Sequence, residues 1–285
     1  MKVFLISPEI APFSETDNTA LFARYVPKNL QEKKHDIRLI TPKYPFISDR
    51  KFTLREVIRL KEISVEWKSS DKMASIKSGF VPDSKVQVYF LERTEFFSSL
   101  DRKIYKAKGS RKALDGTDNR FSYFAKASLE SLKHLHWEPE VIHCCGWATA
   151  MVPILLKTIY KNDPLYKDIK VIFSPFTSKD LTTFSIECLE NAKVSLDDDG
   201  KNSLMMNKKG NFSPTLAGIV YSDATIAISS SNSNVDKGMK NNSDIADAIK
   251  LKKNKYKSIS TPFDHNDDYT KISSSILDIY KNIIE

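Results

Sequence analysis

The sequence predicts an α/β protein built on a mostly parallel sheet with helices on both faces. Short, nearly continuous apolar runs recur along it, at Lys2 to Ser7, Asp36 to Thr41, Pro139 to His143, Ile169 to Phe173 and Ala224 to Ile228. Strands covered on both faces read this way, whereas a strand with one wet face alternates. Longer stretches with helical spacing lie between the runs, as parallel strands require of their connections. The third observation is bulk: 285 residues, 41% hydrophobic and 11% aromatic, are enough to bury a substantial core.

The first strand sets the frame. After Ser7, Pro8 and Pro12 bracket Glu9-Ile10-Ala11, so the chain leaves the strand as an irregular loop. Thr16-Asp17-Asn18 then offers a helix N-cap ahead of Leu21 to Leu30, and the second strand follows at Asp36. Strand, loop, helix, strand is the opening of a Rossmann-like domain, whose first loop lies where open α/β sheets bind ligands. Arg55 to Trp67 reads as a strand-pair region. Ala74 to Phe80 and Lys85 to Leu91 add two strands around the turn Pro82-Asp83-Ser84.

A charged, glycine-containing loop, Arg102 to Gly116, leads to a helix expected to be capped by Asp118 and to run to about Leu135. Phe121, Phe124, Ala125, Ser128, Leu129 and Leu132 fall on one of its faces. After the strand ending at His143, a helix is expected over Trp147 to Tyr160 with a kink at Pro153, and another over Leu181 to Ala192. An acidic turn at Asp197-Asp198-Asp199-Gly200 follows, then helix and strand over Ser213 to Ile228. Beyond Ser229 the Ser/Asn/Lys-rich composition reads as a mobile connector reaching Phe263. The last stretch places Ile272, Ile276, Ile279, Tyr280 and Ile283 on one face of a helix that packs back. The expected division is therefore a domain over 1–229 and a connector with terminal helix over 230–285.

The net charge of +8 and pI of 9.1 would suit an anionic partner such as nucleic acid, a nucleotide or a membrane surface. The lysines are spread over the whole chain, however, and Lys250 to Lys257 is the only basic cluster, in a polar tail. No apolar run approaches a membrane span, and the opening strand lacks a signal-peptide pattern. The three cysteines, Cys144, Cys145 and Cys188, suit a reducing compartment. The expectation is a cytoplasmic protein with no membrane or nucleic-acid partner.

Two stretches carry a family resemblance: Val3-Phe4-Leu5-Ile6-Ser7-Pro8-Glu9-Ile10-Ala11-Pro12-Phe13, and Lys33-Lys34-His35-Asp36-Ile37-Arg38-Leu39-Ile40-Thr41-Pro42-Lys43-Tyr44. Both resemble the opening of the bacterial glycogen and plant starch synthases. Val86 to Leu91 and Glu95-Phe96-Phe97 resemble a family strand and its "EYF". Ser213 to Ser229 resembles the family's "N-x-x-K-G-x-x-Y-A-D-x-V-x-T-V-S". The resemblance covers about Met1 to Ser229. It implies the N-terminal half of a two-Rossmann-domain glycosyltransferase with a small β-meander insertion. In the family, the donor substrate is ADP-glucose, the product an α-1,4-glucan, and the second half binds most of the donor and supplies an essential glutamate. A chain of this length is not expected to hold that half.

The motif that matches most closely is Val141-Ile142-His143-Cys144-Cys145-Gly146-Trp147, where the family reads V-I-H-x-H-D-W. His143 and Trp147 are kept; the second histidine is Cys145 and the aspartate Gly146. The first-loop K-x-G-G is Glu15-Thr16-Asp17-Asn18, and the family's T-I-H-N is Ser174-Pro175-Phe176-Thr177, with Phe176 at the histidine. A carboxylate at Glu15 repels a diphosphate that lysine would attract, and Asp17 and Asn18 add side chains where the family brings backbone close. Glu9, Arg120, His143 and Trp147 are candidates to line a glucan or nucleotide groove, each with an equally open structural role. The cysteines admit three readings: metal binding, which lacks a ligand set; Cys145 as a nucleophile activated by His143; and a buried strand end. No metal or cofactor is expected, and no catalytic residue is assigned. The functional expectation is a glycogen/starch synthase-like protein, impaired or inactive alone, with an α-glucan or a separately encoded C-terminal domain as partner. The alternative is a non-catalytic carbohydrate- or partner-binding relic.

Overall fold

The computed structural model describes residues 1–98, 100–106, 112–178, 182–195, 205–207, 210–252, 255–261, 263–265 and 268–285. Its first element is β1 (Lys2–Ile6), followed by α1 (Asn18–Glu32) and β2 (Asp36–Pro42). Asp17 caps α1 as expected: its Oδ1 accepts the Thr19 N–H at 2.7 Å. After α2 (Asp49–Phe52) comes the meander: β3 (Arg55–Glu56), a 3-10 turn at Ile58–Leu60, β4 (Ile63–Trp67), β5 (Ser70–Phe80) and β6 (Gln87–Glu92). Here β5 runs antiparallel to β3, β4 and β6, while β6 rejoins β2 in parallel.

The chain then passes through α3 (Thr94–Phe97) into α4 (Thr117–Leu135), β7 (Val141–Cys145), a 3-10 turn (Trp147–Thr149), α5 (Met151–Lys157) and β8 (Lys170–Ser174). Helix α6 (Glu187–Asn191), α7 (Pro214–Tyr221) and β9 (Ala224–Ser229) follow. With a last strand, β10 (Tyr256–Ser260), the strand order is β10-β9-β8-β7-β1-β2-β6-β5-β3, with β4 on β5. The sheet therefore steps one way from β1 to β2 and the other way from β7 to β10. Right-handed crossovers then place α1 on one face and the helices after β7 on the other. Contacts follow that division, with α4, α5 and α7 packed together. All five residues of β7 are buried, as are the last four of β1 and β8.

Several elements differ from the sequence expectation. Asp118 does not cap α4; Gly116 occupies that position at φ +67°, and the Asp118 carboxylate accepts the Ser185 N–H and hydroxyl instead. Pro153 makes no mid-helix kink, because α5 starts at Met151 and the proline lies in its first turn, where no N–H is needed. Of the helix expected over Leu181 to Ala192, Glu187–Asn191 is helical. Leu181 and the acidic turn Asp197 to Gly200 lie outside the described residues.

The largest difference is past Ser229. In place of a mobile connector come α8 (Val235–Lys240), α9 (Ser243–Lys252) and β10 (Tyr256–Ser260), which pairs in parallel with β9. The polar composition hid a sparse helical pattern: Val235, Met239, Ile245 and Ala248 are the buried positions. Asn234 caps α8 through the Lys237 N–H at 2.9 Å, and the Ser229 hydroxyl accepts the Val235 N–H at 3.0 Å. The last helix, α10 (Thr270–Ile284), lies against α1 with Ile272, Ile276 and Tyr280 buried.

Met239→Ala should lower stability by about 2–5 kcal/mol in a urea melt, the cost of emptying a core site. A connector position would show almost no change.

Candidate functional site

The order of the sheet reverses at β1, so the crevice beyond the carboxyl ends of β1, β7 and β8 is where a ligand site is expected. The Glu9 side chain is fully buried there. Its carboxyl accepts the Thr16 N–H at 2.6 Å, the Thr16 hydroxyl at 3.0 Å and the Tyr105 hydroxyl at 3.2 Å. Glu9 thus ties the far end of its own loop, and Tyr44 closes the other side by donating to the Pro8 carbonyl at 2.7 Å. Burial, and the Asp17 carboxylate nearby, push the Glu9 carboxyl well above the usual carboxylate range; the two Thr16 bonds pull it down.

His143 is a fully buried ring with both nitrogens engaged. Nδ1 lies 2.6 Å from the Tyr280 hydroxyl on α10, and Nε2 lies 2.7 Å from the Ser174 hydroxyl at the end of β8. Burial pushes its pKa down to about 3, so the imidazole is neutral. Phe22 and Tyr280 pack edge-on against it. His143 and Cys145, two residues apart, share a side of the strand. What removes them from nucleophilic chemistry is that the ring nitrogens are occupied and burial raises the Cys145 thiol well above its usual value. Among the described residues, no group of three or more His, Cys, Asp or Glu is placed to hold a metal ion.

Gly146 has φ +77° and ψ 165°, a region that only glycine enters freely, and donates its N–H to the Ser174 carbonyl at 2.8 Å. A Cβ there would meet only Thr19, at 3.7 Å, so space is not the obstacle. An aspartate held in this conformation would carry strain of about 1–3 kcal/mol. Trp147 follows, ringed by Tyr105, Phe121 and Phe184 at centroid distances of 5.4 to 6.1 Å and 7% exposed. Arg120 is engaged with backbone and a hydroxyl. Its guanidinium donates to the Phe96 and Asp115 carbonyls at 2.7 and 3.2 Å and to the Thr117 hydroxyl at 3.4 Å, fastening α3 and the preceding loop to α4.

Of the remaining altered positions, Asp17 and Phe176 line the cavity at the crevice. Asp17 is the α1 cap with extended backbone (φ −149°), which needs no glycine, and Asn18 is the first residue of that helix. Glu15 accepts from His265 Nε2 at 2.9 Å. Phe176 is 7% exposed, edge-on to Phe22 at 5.2 Å and 6.2 Å from Phe263. Between Pro8, Asp17, Thr19, Tyr105, Trp147 and Phe176, a cavity of about 10 Å³ is left, room for one water molecule. A larger groove of about 670 Å³ lies beyond the carboxyl ends of β2 and β6, and Tyr44, which bonds the Pro8 carbonyl, is part of its lining. Its charges pair with neighbouring ones: Lys43 with Asp49 at 2.8 Å, and Arg93 with Glu95 at 3.1 Å.

The structure brings Gly146, Trp147 and Phe176 to one cavity, places Glu9 in the loop beside it and His143 behind it, and turns the Arg120 guanidinium to the Phe96 and Asp115 carbonyls. Sequence reasoning missed Tyr105, Ser174 and Tyr280. The one signal for Tyr105 was the apolar pair Ile104-Tyr105 inside a charged loop; Ile104 is fully buried.

A mostly parallel sheet wound both ways around β1, with a meander between β2 and β6, is the architecture of a Rossmann-like glycosyltransferase domain. Residues 2–234 match the family model described as "Starch synthase catalytic domain", and the chain belongs to that family, the glycogen and starch synthases. It is 35% identical over 175 residues to the glycogen synthases of Pelodictyon phaeoclathratiforme and Chlorobium luteolum, covering 61% of this chain and 35% of each relative. The chain thus spans about a third of the length of these curated relatives. The catalytic domain of starch synthase IV from Arabidopsis thaliana, solved bound to ADP and acarbose, superposes with a TM-score of 0.73. The identity is 20%, over 91% of this chain and 51% of that one. Among the described residues, no helix is long and apolar enough to cross a membrane.

The raised Glu9 carboxyl has a consequence for stability. The folded state keeps its proton at pH values where the unfolded chain has released it, so stability falls as pH climbs through the raised value. In urea melts at pH 5 and pH 8, wild type should lose stability relative to Glu9→Gln at the higher pH.

Proposed function

We propose that this chain is a glycogen/starch synthase-type domain of α-1,4-glucan metabolism that does not transfer glucose from ADP-glucose through its own crevice. Its role is then non-catalytic binding of an α-glucan or a protein partner. One observation carries this reading: among the described residues, the protein's own side chains occupy the space beside the first loop where the crevice should open. Phe176 packs between Phe22 and Phe263, and about 10 Å³ is left beside it. A nucleotide sugar needs a pocket of several hundred Å³. The charge change agrees, since Glu15 puts a carboxylate where the family has a lysine to meet phosphate.

A second reading is glucosyl transfer from ADP-glucose with a separate domain supplying the other donor contacts. The meeting of Tyr105 and Trp147 in the lining of the cavity, beside Phe176, favours it, because aromatic rings there could face a sugar if Phe176 moved. By the number of altered positions, the non-catalytic reading is preferred.

Calorimetry with ADP-glucose, with and without a soluble maltooligosaccharide, separates the two. The non-catalytic reading predicts no heat at millimolar ADP-glucose. Micromolar binding, lost in Trp147→Ala, would establish the second reading in its place.

A further inference from the structure

The groove beyond the carboxyl ends of β2 and β6 is a second hollow on the same side of the sheet as the crevice. Its volume of about 670 Å³ falls among clefts that take small ligands. Backbone bonds fix its frame. Lys43 leaves β2 with its N–H on the Leu91 carbonyl at 2.8 Å, and Arg93 Nη1 donates to the Met73 carbonyl at 2.9 Å, joining the end of β6 to β5. Helix α3 follows at once: the Phe97 N–H donates to the Arg93 carbonyl at 3.1 Å, and its ring meets Tyr44 edge-on at 6.2 Å.

The lining carries charges of both signs, and each is matched. Lys43 meets Asp49 at 2.8 Å, Lys61 meets Glu56 at 3.9 Å, and Arg93 meets Glu95 at 3.1 Å. Hydrogen bonds from Lys72, at 2.7 Å, hold the Glu95 carboxyl below the usual carboxylate range. Glu92 meets Lys77 at 3.2 Å and Lys43 at 3.9 Å, both through Oε1. A carboxylate accepts about four hydrogen bonds. Glu92 and Glu95, with side chains 30% and 46% exposed, therefore keep acceptor sites that the cations hold in place. An anion would have to displace a carboxylate to enter. A hydroxyl displaces nothing, since it donates to a carboxylate and accepts from an ammonium or guanidinium. Met73, 43% exposed, adds an apolar surface on which the C–H face of a sugar ring can pack.

We propose that this groove binds a neutral carbohydrate chain. Glu92 and Glu95 accept from its hydroxyls, Lys43 and Arg93 donate to them, and Met73 lies against a ring face. This rests on the reading of the chain as a non-catalytic α-glucan binder, and gives that reading a site separate from the filled crevice.

Calorimetry on the full chain with maltohexaose, repeated with inorganic pyrophosphate as an anionic competitor, tests this. Wild type should bind maltohexaose saturably, with an affinity that pyrophosphate leaves unchanged. Glu92→Gln should weaken binding about tenfold, the loss of one hydrogen bond to a charged group. Met73→Ala, at an exposed position, should weaken it about threefold through lost apolar contact. Urea melts confirm that both variants fold. In hydrogen exchange, bound maltohexaose should slow the amides of 73–76 and 92–98 and leave those of 146–150 and 174–177 unchanged. The proposal is overturned if maltohexaose gives no heat, if pyrophosphate competes, if protection falls on 146–150 instead, or if both folded variants bind like wild type. ADP-glucose binding by wild type would overturn the closed crevice and leave the groove standing. Absence of maltohexaose binding would overturn the groove and leave the closed crevice standing.

Discussion

A parallel sheet whose central strands are buried on both faces must be covered by helices on each side, and every later feature of this protein depends on that constraint. Val3 to Ile6, Val141 to Cys145 and Val171 to Ser174 have almost no contact with solvent. The polar groups such strands carry must therefore find partners inside the protein. His143 shows the consequence. Held neutral between Ser174 and Tyr280, it couples the middle of the sheet to the last helix of the chain. The same contact anchors α10, which packs against α1.

The fold was legible because buried parallel strands leave long apolar runs and their connecting helices leave periodic ones. Residues 230–260 were not, although they are built by the same rules. Their apolar residues are few, Val235, Met239, Ile245 and Ala248, and sit among lysines, serines and asparagines that dominate any composition window. The strand there, β10, lies at the sheet edge with little burial, so it carries no apolar run to betray it.

The site was legible in part. The departures at Glu15, Cys145, Gly146 and Phe176 could be read from the residues, and Gly146 adopts a backbone conformation that glycine alone enters easily. What those residues do instead could not be read, because their partners lie far along the chain. Glu15 and His265 are separated by 250 residues, and His143 and Tyr280 by 137. Local periodicity holds no information about such contacts. For Arg120 the sequence leaves a ligand contact and a structural role equally open, and its guanidinium donates to backbone carbonyls far enough along the chain that no local pattern shows them.

A synthase-family domain whose crevice is occupied by its own side chains should pass no glucose through it. The most direct measurement is incorporation of labelled glucose from ADP-glucose into a maltooligosaccharide by the purified protein. The account predicts incorporation no greater than in a protein-free control. Steady chain growth that scales with protein concentration would contradict it.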